Sequence, residues 1–251
     1  MGIFSFTDKS TMYFPGCYSQ AHARDKVENY KKILRKLGIN PVIAEEKLCC
    51  GKILEEAGYE KNFRKIARKN LSLLRENKIK KIIVSDPKCF LSFSADYKNT
   101  LPDWDIVCEF ILETILRKLL ENPKIIVNTF LEQVTYYDSC YLSRSLNIED
   151  CPRALLKLLG YQLEELEFNP KENLCCGSCG GLNITNKDLS EKICSYFIKE
   201  LKRRNIKKLI VSSHEDYNLI KTTLQKEDLQ EKIQVVDFSD ILCKSLGIKL
   251  E

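Results

Sequence analysis

Two adjacent cysteines followed by glycine occur twice in this chain. One copy is Leu48-Cys49-Cys50-Gly51. The other is Leu174-Cys175-Cys176-Gly177-Ser178-Cys179-Gly180-Gly181. Neighbouring cysteines make a poor disulfide with each other, because the S–S geometry is narrow and the small ring is strained. They are well suited to aiming two thiolates at one metal centre. A glycine beside them lets the backbone turn tightly and approach a bulky inorganic group. The second copy adds a third sulfur, Cys179. Two such loops imply that the chain holds metal, most simply as iron–sulfur clusters, and that the remainder positions them.

The loops belong to a longer repeat. Thr11-Met12-Tyr13-Phe14 reads as a buried strand that stops at Pro15-Gly16 and delivers Cys17. Val27, Tyr30, Ile33, Leu34 and Leu37 follow at helical spacing, with Gly38 as a stop. A strand at Pro41–Ala44 leads to the first cysteine loop. A helix through Phe63–Leu74, a strand at Ile82–Val84 ending at Asp86-Pro87-Lys88-Cys89, a strand at Asp105–Val107 and a helix from Phe110 to Leu119 complete the unit. The second half replays this order. A strand at Val134–Tyr137 ends at Asp138-Ser139-Cys140. A helix through Pro152, a strand near Leu163–Phe168, the second loop, a helix through Leu189–Leu201, the run Ile206–Ser212 and Val235–Phe238 come next. Cys140 follows Cys17 by 123 residues, Cys175 follows Cys49 by 126, and Ile206 follows Ile79 by 127. So constant an offset indicates two copies of one unit. The expected fold is α/β: two tandem pseudo-symmetric units, 1–122 and 123–251, each a small parallel sheet flanked by helices. The halves are expected to be related by a pseudo-two-fold, with the cysteine loops near their interface. In such sheets ligands gather beyond the carboxyl ends of the strands, where Cys17, Cys89 and Cys140 also fall.

Composition narrows the classes. The 251 residues are 44% hydrophobic, enough for a sizeable core, and carry a net charge of +5. That is weak for a nucleic-acid binder. The densest basic run, Lys202-Arg203-Arg204 with Lys207-Lys208, closes a predicted helix, where cations suit the dipole. No apolar window is long enough to span a membrane. The N-terminus shows neither a signal-peptide nor a myristoylation pattern. A cytoplasmic protein is expected, and twelve cysteines there argue for metal or redox work rather than a disulfide scaffold. GxGxxG and GxxxxGK[ST] are both absent.

The cysteines sort into two sets of four: Cys17, Cys49, Cys50 and Cys89, with Asp86 nearby, and Cys140, Cys175, Cys176 and Cys179. Either set suits an iron–sulfur cluster or a tetrahedral zinc. Cys108, Cys151, Cys194 and Cys243 lie within helix or strand patterns and read as small core residues. His22 and His214, the only histidines, read as exposed loop residues.

With Tyr13-Phe14-Pro15-Gly16-Cys17, Asp138-Ser139-Cys140 and Arg144, Pro152-Arg153 and the two Cys-Cys-Gly loops, the sequence resembles the cysteine-rich CCG-domain family over nearly its whole length. Members include a subunit of heterodisulfide reductase and the iron–sulfur subunits of glycolate oxidase, anaerobic glycerol-3-phosphate dehydrogenase and lactate utilisation. The resemblance implies one or two 4Fe–4S clusters on Cys17, Cys49, Cys50, Cys89, Cys140, Cys175, Cys176 and Cys179. It also implies an electron-transfer role beside a flavin or ferredoxin-type partner subunit. A zinc-stapled binding module and a catalytic thiol/disulfide reductase subunit are the competing readings. The sequence departs from the family at the ends of both motifs. Cys-x-x-Cys becomes Asp86-Pro87-Lys88-Cys89 in the first, and Ser213-His214-Glu215-Asp216 in the second. The resemblance therefore makes Asp86 a residue of the first site and makes Cys179 the substitute for a missing sulfur in the second.

Overall fold

The apolar run Thr11–Phe14 forms the end of strand β1 (Asp8–Phe14), the centre of the first sheet. The structure is a computed structural model and describes residues 8–44, 48–166, 172 and 174–250. After β1 come α1 (Cys17–His22), α2 (Arg24–Lys36), β2 (Pro41–Ile43), α3 (Lys52–Glu56), α4 (Glu60–Glu76) and β3 (Lys81–Val84). Helix α5 (Pro87–Leu91) runs through a π-helical turn at Ser92–Asp96 into α6 (Tyr97–Thr100). Strand β4 (Val107–Phe110) and α7 (Ile111–Glu121) close the unit. The sheet is wholly parallel, in the order β2-β1-β3-β4. Its central strands read as unbroken apolar runs because both faces are covered, and Phe14 and Val84 have no exposed surface. Helix α2 turns Val27, Tyr30, Ile33 and Leu34 inward and leaves Arg24, Asp25, Arg35 and Lys36 exposed. An aromatic group of Phe14, Phe93, Tyr97 and Trp104 fills the space beside α5 and α6, with rings 4.8–6.1 Å apart.

The second unit repeats the plan. Its elements are β5 (Gln133–Tyr137), a π-helical turn at Tyr141–Ser145, α8 (Asp150–Leu158), β6 (Gln162–Leu163), α9 (Leu182–Thr185), α10 (Lys187–Arg203), β7 (Lys208–Val211), α11 (His214–Lys226), β8 (Gln234–Asp237) and α12 (Phe238–Ser245). The sheet is again parallel, in the order β6-β5-β7-β8. Phe197, Ile198 and Leu201 of α10 pack with Leu209, Val211, Ile220 and Leu224 in the core. Each such fully buried side chain contributes about 1.5–3 kcal/mol. The chain divides into compact units between Ile125 and Ile126, with the segment from Ile248 grouping with the first.

Matching side-chain bonds tie the two central strands of each sheet together at their carboxyl ends. The Tyr13 hydroxyl lies 3.0 Å from Ser85 Oγ, and the Tyr136 hydroxyl lies 2.7 Å from Ser212 Oγ. The repeat therefore holds at single residues.

Three local expectations are corrected. The strand expected at Asp105–Val107 begins at Val107, because its register pairs Lys81–Val84 with Val107–Phe110. His214 is not an exposed loop residue. It opens α11 with 1% exposure, and its Nε2 lies 3.4 Å from Asp237 Oδ2. Asp237 also caps α12, so burying His214 there places it against a carboxylate. The strand expected near Leu163–Phe168 spans only Gln162–Leu163, and Phe168 lies outside the described residues. His22 is exposed, at the end of α1. Cys194 and Cys243 are fully buried, while Cys108 and Cys151 are half-buried.

Candidate metal centres

In the first unit β1 ends at Phe14, and α1 begins three residues later with Cys17. Strand β3 ends at Val84, and α5 carries Cys89 in its first turns. The Cys49-Cys50-Gly51 loop meets them there. Its turn needs Gly51, whose φ is +80°, a left-handed conformation that glycine adopts freely. Three bonds fix the loop from behind. Asn70 Nδ2 donates to Cys49 O at 2.8 Å, and the Tyr97 hydroxyl and Ser92 Oγ donate to Cys50 O at 2.9 and 3.2 Å.

The sulfurs then form a continuous chain. Cys17 hydrogen-bonds to Cys49, Cys49 to Cys50, and Cys50 Sγ lies 3.1 Å from Cys89 Sγ. A disulfide would need about 2.05 Å, and all twelve cysteines are free. Cys49 is the thiolate of this group. Bonds from the Cys17 and Cys50 thiols, the Gly51 amide and the charge of Lys88 bring it down to about 2. Cys17, which donates to that thiolate, is pushed far above the usual thiol range. Cys89 lies against the Cys50 sulfur, which favours its charged form, yet burial and the Asp86 charge lift it to about 12.

Asp86 stands at the expected place but with a defined task. Its Oδ1 accepts from the Cys89 amide at 2.8 Å and caps α5. This is the ordinary role of an aspartate preceding a helix. It fixes the backbone that presents the Cys89 sulfur.

The second unit uses the same frame with different donors. The Gly177 amide lies 3.3 Å from Cys175 Sγ, matching Gly51 and Cys49 at 3.4 Å. Cys140, Cys175 and Cys179 offer sulfurs that all lie within 4.8 Å of one another. Cys175 is the thiolate, brought to about 2 by bonds from Cys140 and Cys179 and by two backbone amides. Cys140 is raised to about 11 by its bond to Cys175. It also accepts from Arg144 Nη2 at 2.6 Å. Arg144 sits on the π-helical turn four residues on. Behind Cys140, the buried Asp138 holds Arg153 through two bonds of 2.9 and 2.7 Å, which anchors the loop to α8.

Cys176 does not join the other three. Its sulfur lies 3.4 Å from Asp216 Oδ1 and 3.6 Å from Ser178 Oγ. Its amide donates to the Tyr137 hydroxyl at 2.9 Å. Ser178 Oγ also donates to Asp216 Oδ1. Burial lifts the Asp216 carboxyl to about 6, against the Ser178 bond. Asp216 carries no sulfur and is not among the expected ligands, although it ends the second motif's Ser213-His214-Glu215-Asp216. The signal that could have placed it among them is its spacing: Ser213-x-x-Asp216 follows Asp86-x-x-Cys89 by 127 residues, the offset of the preceding strands.

The donors fit an iron–sulfur cluster. They are thiols in contact, with one thiolate in each group already favoured, and each carries a backbone amide directed at sulfur of the kind that tunes such clusters. No histidine stands among them.

The cysteine-rich CCG domain model matches residues 11–94 and 134–215. The chain belongs to this family. The probable iron-sulfur-binding oxidoreductase FadF of Bacillus subtilis is 32% identical over 169 residues, covering 66% of this chain and 23% of FadF. The probable glycolate oxidase iron-sulfur subunit of the same organism is 25% identical, covering 96% of this chain and 56% of that protein. A dihydromethanophenazine:CoB–CoM heterodisulfide reductase subunit of Methanosarcina mazei is 27% identical, covering 75% and 48%. The chain thus spans between about a quarter and just over half of these relatives. Among the described residues no helix is long and apolar enough to cross a membrane.

Proposed function

We propose that this chain is an iron–sulfur electron-transfer subunit of an oxidoreductase complex, similar to a heterodisulfide reductase subunit and built from two cysteine-rich domains at 1–122 and 123–251. The observation that carries the reading is the contiguous set Cys17, Cys49, Cys50 and Cys89 at the carboxyl ends of the first sheet. Four thiolates are the ligand set of a 4Fe–4S cluster, and the cluster would supply one-electron chemistry. Asp86 would hold Cys89 in place. In the second unit Cys140, Cys175 and Cys179 would provide three sulfurs, with Cys176 beside them. The relatives named an iron-sulfur-binding oxidoreductase and a glycolate oxidase iron-sulfur subunit support this reading. Hydride or carbon chemistry would belong to a flavin or ferredoxin-type partner subunit. The chain would work in the cytoplasm, peripheral to any membrane complex.

Anaerobic purification followed by iron, zinc and sulfide analysis tests it, together with electron paramagnetic resonance of the reduced protein. Iron and acid-labile sulfide in equal amounts, with a reduced-cluster signal, are expected. Stoichiometric zinc without sulfide would overturn the reading in favour of a zinc-stapled fold.

A further inference from the structure

We infer that Asp216 is a carboxylate ligand of the second metal centre, at the corner that Cys89 occupies in the first. The inference rests on the metal-binding reading above and adds a donor to it.

Three observations converge on this residue. The first is register. Strands β3 and β7 both end in valine, at Val84 and Val211, and each is followed by a helix opened by a capping side chain. Asp86 caps onto the Cys89 amide, and Ser213 Oγ accepts from the Asp216 amide at 3.4 Å. Cys89 and Asp216 therefore sit at the same helical position.

The second is the partner. Cys89 Sγ lies 3.1 Å from Cys50, the second cysteine of its loop. Asp216 Oδ1 lies 3.4 Å from Cys176, the second cysteine of the other loop. The same corner is thus built twice, once with sulfur and once with oxygen.

The third is an unmet bond. Asp216 is 1% exposed, and its Oδ2 is buried without a hydrogen-bond partner among the described residues. A buried carboxylate oxygen left unpaired is costly, and native structures avoid it unless something fills the position. The Arg144 cation is directed at Cys140. Asp216 stands outside the group of Cys140, Cys175 and Cys179 sulfurs that lie within 4.8 Å of one another, so a multi-iron cluster reaching from those sulfurs to the Cys176 corner, rather than a single ion, would supply what Oδ2 lacks. Oxygen is a harder donor than thiolate, so the iron at this corner would be the most exchangeable one.

The test uses the whole chain, prepared anaerobically and carrying its metal, with Asp216→Asn and Asp216→Cys variants. Iron transfer to a colorimetric ferrous chelator is followed in time, with electron paramagnetic resonance alongside. Asp216→Asn should release the labile fraction at least about tenfold faster than the parent, the scale on which loss of a metal-site partner weakens binding. Asp216→Cys should release it more slowly than the parent, and its spectrum should change. Circular dichroism and the unchanged slow fraction from the first unit establish folding. If Asp216→Asn misfolds, the Asp216→Cys comparison decides. Release rates and spectra equal to the parent in both variants would overturn the assignment, as would a parent whose second unit takes no metal. If the parent holds zinc without sulfide, the iron–sulfur reading falls and the Asp216 assignment with it, whereas equal iron release from an iron- and sulfide-bearing parent overturns the Asp216 assignment alone.

Discussion

Asp86 and Ser213 show how one position can serve two donor sets. Each accepts from the backbone amide three residues on, and each thereby aims the side chain at that position. An N-cap of this kind is worth about 0.5–2 kcal/mol. Asp86→Ala should therefore lower the stability of the metal-free protein by about 1 kcal/mol. Asp86→Ser should stay within a few tenths of the parent, because Ser213 already performs that task in the sister helix. Urea unfolding of the three proteins measures this. Equal losses in both variants would show that the aspartate charge, rather than the cap, is what matters.

At the scale of elements, the two cysteine loops differ in how tightly their glycines are held. Gly177 has φ +96°, and a Cβ there would stand 2.5 Å from the Ser190 carbonyl oxygen, which belongs to helix backbone. Gly51 has φ +80°, but its Cβ would meet the Phe63 ring at 3.1 Å, a side chain that can shift. Left-handed strain costs on the order of 1–3 kcal/mol at either site. Only at Gly177 does an immovable clash add to it. Gly177→Ala should thus destabilise the chain by more than Gly51→Ala, and it should remove the second centre's metal first. Thermal unfolding and metal analysis of the two variants would show the order. This difference is not legible in the sequence, where both loops read Cys-Cys-Gly. What is legible is the strand and helix order. It is written in apolar runs such as Ile82-Ile83-Val84 and in the stripe of α2, since parallel strands covered on both faces cannot be otherwise composed. The start of β4 lies two residues beyond the point its apolar pattern suggests, because hydrogen bonding to β3, not local hydrophobicity, sets where that strand begins. The burial of His214 is hidden from its neighbours in sequence because its partner, Asp237, lies 23 residues away at the end of β8. The split within the second cysteine set is likewise invisible, since it depends on the Ser178 and Asp216 oxygens that claim Cys176.

At the scale of the whole chain, the two units share a frame and differ in the charges around their sulfurs. In the first, the buried Lys88 acts on Cys49 and Cys89, and position 21, four residues after Cys17, is alanine. In the second, the residue aligned with Lys88 is Glu215, and the cation comes instead from Arg144, four residues after Cys140 and bonded to its sulfur. A positive group beside a ligand sulfur stabilises the reduced, more negative form of a centre, so removing it lowers the potential. A charge-assisted hydrogen bond is worth about 1.5–3 kcal/mol, of which only the difference between the two oxidation states appears. Since about 59 mV corresponds to a tenfold change for one electron, the expected fall is on the order of 50 mV. The frame predicts a crossed result. Arg144→Met should lower the potential of the second centre and leave the first in place, and Lys88→Met should do the reverse. A redox titration followed by electron paramagnetic resonance, in parent and both variants, would resolve the steps. If both variants shifted the same step, or neither shifted any, the two units could not be carrying separate centres whose potentials are set by these two side chains.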